Sequence, residues 1–152
     1  LIGLTAKQQL LDHCTAFVEG RLARIRKNIA SVQESLQSET KSSAGDKHET
    51  GRAMLQLERE KLGRQLGEAE KMKEVLGRVK ITGASDTAAL GSLVKTTMAD
   101  YFLAVSAGEA SVGRRPVFCI SIATPIGRSL LGKSVGEHIV FGGKEIEILA
   151  IE

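Results

Sequence analysis

Two carboxylates three residues apart, Asp46 and Glu49, stand in the segment Ser42-Ser43-Ala44-Gly45-Asp46-Lys47-His48-Glu49. At the start of a helix this spacing puts both on one face. Two carboxylates are too few for an all-protein metal cage, but they suffice for a Mg²⁺ whose other positions are filled by water or by a partner. The same pair fits a capping box, with Asp46 at the N-cap and Glu49 at the third helical position, both favoured by the positive end of the helix dipole. Spacing leaves both readings open. His48, between the acids, reads as a solvent-exposed residue, with metal ligation or proton transfer as the alternative. Lys41, Lys47, Arg52 and Arg59 lie close by in sequence and suit contact with RNA or phosphate as well as they suit a solvated face. Arg21, Arg24, Arg26 and Lys27 form a second basic cluster, which suits contact with an acidic wall of a partner as well as it suits a solvated face.

The remaining candidates are weaker. Cys14 falls on an apolar seam and Cys119 inside an apolar strand, so both read as packed thiols, free in a reducing cytoplasm and without a His pair to support nucleophilic catalysis. The glycines of Gly108–Gly113 and Gly142-Gly143 do not open a helix, which removes a phosphate-cradling loop. Over 152 residues only 3% are aromatic and none is Trp, which argues against a base- or sugar-stacking platform. A net charge of +3 is too small for a DNA-coating protein, and sequence-specific DNA binding is not expected. No apolar run approaches the ~20 residues of a membrane span, and no signal peptide is recognisable, so a cytoplasmic location without a membrane partner is expected.

These residues need elements to position them, and the chain changes character near Gly77. Before it, Leu11, Cys14, Val18, Leu22, Ile25, Ile29, Val32 and Leu36 recur at steps of three and four, a heptad seam. The spacing predicts a helix over Thr5–Lys41 with Thr5 as N-cap, a turn over Ser42–Gly45, and a second helix over Asp46–Leu76 carrying Leu55, Leu62, Leu66, Ala69, Met72 and Leu76. Gly51, Gly63 and Gly67 each cost roughly 1 kcal/mol against Ala in a helix interior, a cost expected to be offset by close approach of the two backbones. The result is an antiparallel coiled-coil hairpin over 1–77, its acidic tip near 42–50 being the most distal point.

After Gly77 come both prolines and most β-branched residues. Leu90–Thr97, Tyr101–Ser106, Val117–Ala123, His138–Phe141 and Glu145–Ile151 are predicted strands, with Gly142-Gly143 as a hairpin turn. Thr124, Pro125 and Gly132 frame one short helix over Pro125–Leu131. The fold class is therefore α+β: a helical hairpin, then a small antiparallel sheet with one helix over 78–152.

A hairpin with Gly-Asp-x-x-Glu at its tip, followed by a small sheet domain, resembles the bacterial Gre family of transcript cleavage factors. Ala123-Thr124-Pro125-Ile126-Gly127-Arg128-Ser129-Leu130-Leu131-Gly132-Lys133 is similar to the Ser-Pro-Ile-Ala-Arg-Gly-Leu-Ile-Gly-Lys segment of their C-terminal domains, and Leu90-Gly91-Ser92-Leu93-Val94 is similar to their first sheet strand. The resemblance implies an FKBP-like C-terminal domain that docks on RNA polymerase, with Arg128 and Lys133 as contact residues. It implies a hairpin inserted in the polymerase's secondary channel, where Asp46 and Glu49 help hold a Mg²⁺ shared with the polymerase, near the 3′ end of the nascent RNA and with Lys47 and Arg52 close to it. The chain would then be an accessory factor and not an enzyme, with no metal tightly bound on its own. After Glu49 the family's Asn-Ala-Glu-Tyr is replaced by Thr50-Gly51-Arg52-Ala53, without the aromatic. Family members that occupy the channel without stimulating cleavage supply the alternative, a non-cleaving regulator of initiation or elongation. A remote third reading, a prolyl isomerase or chaperone-like module, wants an aromatic cluster that Tyr101, Phe102, Phe118 and Phe141 supply poorly.

Overall fold

The computed structural model describes the backbone of residues 2–41, 45–83 and 85–152, and their side chains apart from 2–5, 40–41 and 45–48. Two long helices, α1 (Ile2–Lys41) and α2 (Gly45–Arg78), precede β1 (Leu93–Thr96), β2 (Asp100–Ala104), β3 (Gly108–Val112), β4 (Arg115–Ser121), α3 (Pro125–Leu130), β5 (His138–Phe141) and β6 (Lys144–Ile151). α1 begins at Ile2, so Thr5 lies inside the helix and is not its cap. The turn expected over Ser42–Gly45 falls outside the described residues, save that Gly45 already belongs to α2.

Compactness groups the chain as Leu1–Phe17 with Glu74–Glu152, and Val18–Lys73 by itself. The sequence boundary at Gly77 and this grouping differ chiefly in the first 17 residues of α1.

In the helical unit the seam closes as its spacing requires. Val18, Leu22, Ile25 and Val32 of α1 are buried, as are Leu62 and Ala69 of α2, while Ile29, Leu36, Leu55 and Leu66 are half-buried. Close backbone approach at the glycines does not occur where it was expected. A Cβ added to Gly63 or Gly67 would meet nothing within 4 Å. Those two positions face open space, and the helices pack through Leu, Ile and Val instead.

In the other unit the strands form one six-stranded sheet in the order β3-β4-β2-β1-β6-β5. The pairing is antiparallel except between β2 and β4, which run parallel from Asp100↔Val117 to Ala104↔Ser121. β3 pairs antiparallel with β4 and is the strand that sequence reading missed. Its five residues, Gly-Glu-Ala-Ser-Val, are mostly exposed and carry too little apolar content to mark an edge strand. β2 is central and buried along its whole length, which explains its uninterrupted apolar run.

One face of the sheet buries Val94, Tyr101, Leu103, Ile139, Ile146 and Ile148 with Ile126 and Leu130 of α3. α3 is held by Thr124, whose Oγ1 accepts from Gly127 N at 3.1 Å and donates to Ser121 O at 2.7 Å. Gly127 allows the contact: a Cβ there would lie 2.2 Å from Ser121 O. The other face carries Phe102 and its register partner Cys119, both buried, and Cys119 meets Cys14 of α1. His13 Nε2 lies 2.9 Å from Ala107 O. The start of α1 thus caps the second face, which is why those residues group with the sheet.

Candidate functional site

The helical reversal can be located from contacts well away from it. Lys73 Nζ pairs with Glu19 at 3.3 Å, Arg21 Nη1 lies 3.6 Å from Met72 Sδ, and a Cβ on Gly51 would sit 3.4 Å from the Glu39 carboxylate. The sequence midpoints of these three pairs fall between residues 45 and 47. The helices are therefore antiparallel, in a register that reverses beside Asp46. From Glu19 to the end of α1 at Lys41, ~22 residues at 1.5 Å each correspond to about 33 Å of helix.

α2 starts at Gly45, so Asp46 is its second residue, two positions past the place of an N-cap, and the expected N-cap role at Asp46 is corrected. Its spacing to Glu49 still places both on one side of the helix. The side chains of Asp46, Lys47 and His48 lie outside the described residues. Glu49 is exposed, as a shared-metal or solvent-facing carboxylate must be. Arg52 is half-buried. Just beyond it, Met54 and Leu57 are 67% and 65% exposed, an apolar pair off the seam that sequence reading passed over. Among the described residues no three His, Cys, Asp or Glu side chains gather to hold a metal ion. A Mg²⁺ on Asp46 and Glu49 would need its other ligands from water or a partner, which agrees with the two-oxygen donor set.

Lower on the same unit, Arg21, Arg24, Asn28, Gln65 and Glu68 line an open cavity of about 410 Å³. Of the four basic residues singled out there, Arg21 is half-buried while Arg24, Arg26 and Lys27 are exposed.

In the sheet unit, Arg128 is exposed in the last turn of α3. Lys133 is half-buried just beyond, and its carbonyl accepts from Ala88 N at 2.8 Å. Both lie on the segment formed by α3 and the residues that follow it. Phe102 and Tyr101 are buried in the core, and Tyr101 stands 6.2 Å from the exposed Phe118.

Three groups escaped the sequence reading. Cys14 and Cys119, read as separate packed thiols, are neighbours: the hydrogen bond to Cys14, and then burial, push the Cys119 thiol well up. Asp100 is a buried carboxylate whose Oδ1 lies 3.2 Å from Arg115 Nη2, close enough for an ion pair but without hydrogen-bond alignment. Lys7 is only 5% exposed. It precedes Leu10 and Cys14 at helical spacing, and Leu10, not Leu11, begins the buried stripe, so extending that stripe backwards would have found it.

No family model matches the chain. No curated protein matches it. Among solved structures, that of the transcription factor Gfh1 aligns over 88% of this chain and 90% of that one, at 24% identity and a TM-score of 0.34. An alignment that loose carries no functional assignment. Among the described residues no helix is long and apolar enough to cross a membrane.

Proposed function

We propose that the chain is an accessory factor of bacterial RNA polymerase that enters the secondary channel with its helical hairpin and stimulates cleavage of backtracked transcripts. The reading rests on the Gre-like segments at Gly45–Glu49 and Ala123–Lys133. The observation that supports it is the hairpin register, whose paired contacts centre near Asp46, at the start of α2. A two-helix hairpin that buries only one seam contributes little as a globule, but it would serve to deliver two carboxylates into a partner. Mg²⁺, when shared with the polymerase, would supply activation of water and stabilisation of the leaving oxygen. Asp46 and Glu49 would each contribute an oxygen and hold the ion near the RNA 3′ end. Lys47 and Arg52 would offset the negative charge of the RNA backbone. Arg128 and Lys133 would bind the polymerase through an FKBP-like sheet domain. The protein itself would neither be an enzyme nor hold Mg²⁺ tightly alone.

Replacement of the family's Asn-Ala-Glu-Tyr by Thr50-Gly51-Arg52-Ala53 favours a second reading, a channel binder that regulates the polymerase without lending a metal. A cleavage assay on stalled, backtracked polymerase decides between them. Stimulation above polymerase alone supports the first reading, and binding without stimulation supports the second.

A further inference from the structure

Beside β1, in the sheet unit, lies a cavity of about 230 Å³ that the proposed function does not use. Lys7 lines it, 5% exposed, on the early part of α1. Its ammonium makes no hydrogen bond or ion pair among the described residues, and it is not among the fully enclosed polar atoms that lack a partner. The carboxylate nearest in effect is Glu152, whose Oε2 is taken by Lys95 at 3.3 Å. Ser92, 6% exposed, lines the same space. Its Oγ accepts from Ala89 N at 2.9 Å, which leaves the hydroxyl proton without an acceptor among the described residues. Lys80 and Thr82, both exposed, also line it. Gly91 holds this wall in place: its φ is +94°, and a Cβ there would lie 2.2 Å from Lys80 O.

Burying an ammonium with no partner is costly, and a protein relieves that cost by neutralising the group or by giving it a counter-ion. Here burial pulls the Lys7 amine below its ordinary value while Glu152 pulls it back up. The lining brings two lysines and three hydroxyl residues, of which Ser85 already donates to Thr87 O, and its one acidic residue, Glu152, is engaged by Lys95. Such a set suits an acceptor with several oxygens and negative charge. We propose that this cavity binds a small oxyanion of the phosphate class, inorganic phosphate or the phosphate end of a monoester, with Lys7 and Ser92 as the inner donors and Lys80 and Thr82 at the mouth. The cavity is too small for a drug-sized ligand.

The test is a titration of the full chain with inorganic phosphate and, separately, with glycerol 3-phosphate, at constant ionic strength against sodium chloride. Melting temperature should rise saturably by roughly 2–4 °C at millimolar phosphate. Lys7→Met, which keeps the apolar stem, should abolish the rise, and Ser92→Ala should weaken binding by about 3- to 10-fold. Chemical-shift mapping on the parent protein gives a readout independent of either variant's folding, with changes expected at Lys7 and across Lys80–Ser92. A tighter monoester assigns the site to an organic phosphate, and equal affinity assigns it to inorganic phosphate. A response no larger than that to chloride, an equal response in Lys7→Met, or shifts spread over surface lysines would overturn the proposal.

Discussion

The hairpin unit and the sheet unit hold themselves together by different means. The sheet is covered on one face by α3 and on the other by the start of α1, so its central strand β2 is buried along its whole length. The hairpin buries one stripe, which is full at Leu22 and Ile25 and only half-closed at Leu36 and Leu55. Glycines show the same contrast. Gly91 and Gly127 sit where a Cβ would strike backbone, whereas Gly63 and Gly67 face nothing. The lesson is that the sheet unit is specified by fit, and the hairpin by periodicity.

The largest expected effect tests that contrast in the cores. Phe102→Ala, at a fully buried site, should cost about 3–5 kcal/mol in urea unfolding. Leu62→Ala should cost nearer 2 kcal/mol, because two helices can close on the gap. An equal or greater cost at Leu62 would break the comparison. Next come the glycines. Gly127→Ala should destabilise by roughly 1–3 kcal/mol through overpacking against Ser121 O, measured by the same unfolding. Gly63→Ala and Gly67→Ala should each stabilise by about 0.5–1 kcal/mol, since propensity improves and nothing is displaced. Destabilisation at either would mean that the hairpin relies on close packing after all. Smallest in stability is the pair Arg128→Ala and Lys133→Ala, which should leave the melting temperature nearly unchanged while weakening polymerase binding and its salt dependence. Unaltered affinity in a titration would remove this segment from the interface.

Much of this was legible because its signals are local. The seam from Cys14 to Val32 shows in the spacing, and α3 shows in Thr124-Pro125 with Gly132 behind it, at φ +80°. β6 alternates with Ile146 and Ile148 inward, as its pattern demands. What was illegible depends on parts of the chain distant in sequence. β3 exists because β4 offers it an edge, not because Gly108–Val112 favours a strand. The parallel β2–β4 pair and the meeting of Cys14 with Cys119 are products of topology, which no local period encodes. At the tip, the spacing of Asp46 and Glu49 was readable, and so was their place at the reversal. Their competing roles were not, because a capping box and half a Mg²⁺ site need the same residues at the same separation.

Charge separates those roles where geometry does not. Asp46→Asn and Glu49→Gln retain hydrogen-bonding groups for the start of the helix but lose the negative charge that a Mg²⁺ ligand needs. The most direct measurement is transcript cleavage by backtracked cognate polymerase, with the parent protein and with this double variant, across a Mg²⁺ titration. The account predicts strong stimulation by the parent. It predicts loss of that stimulation in the double variant, with folding and polymerase binding retained, and partial recovery of the single variants at raised Mg²⁺. No cleavage above polymerase alone with the parent at any Mg²⁺ concentration, or a double variant as active as the parent, would contradict it.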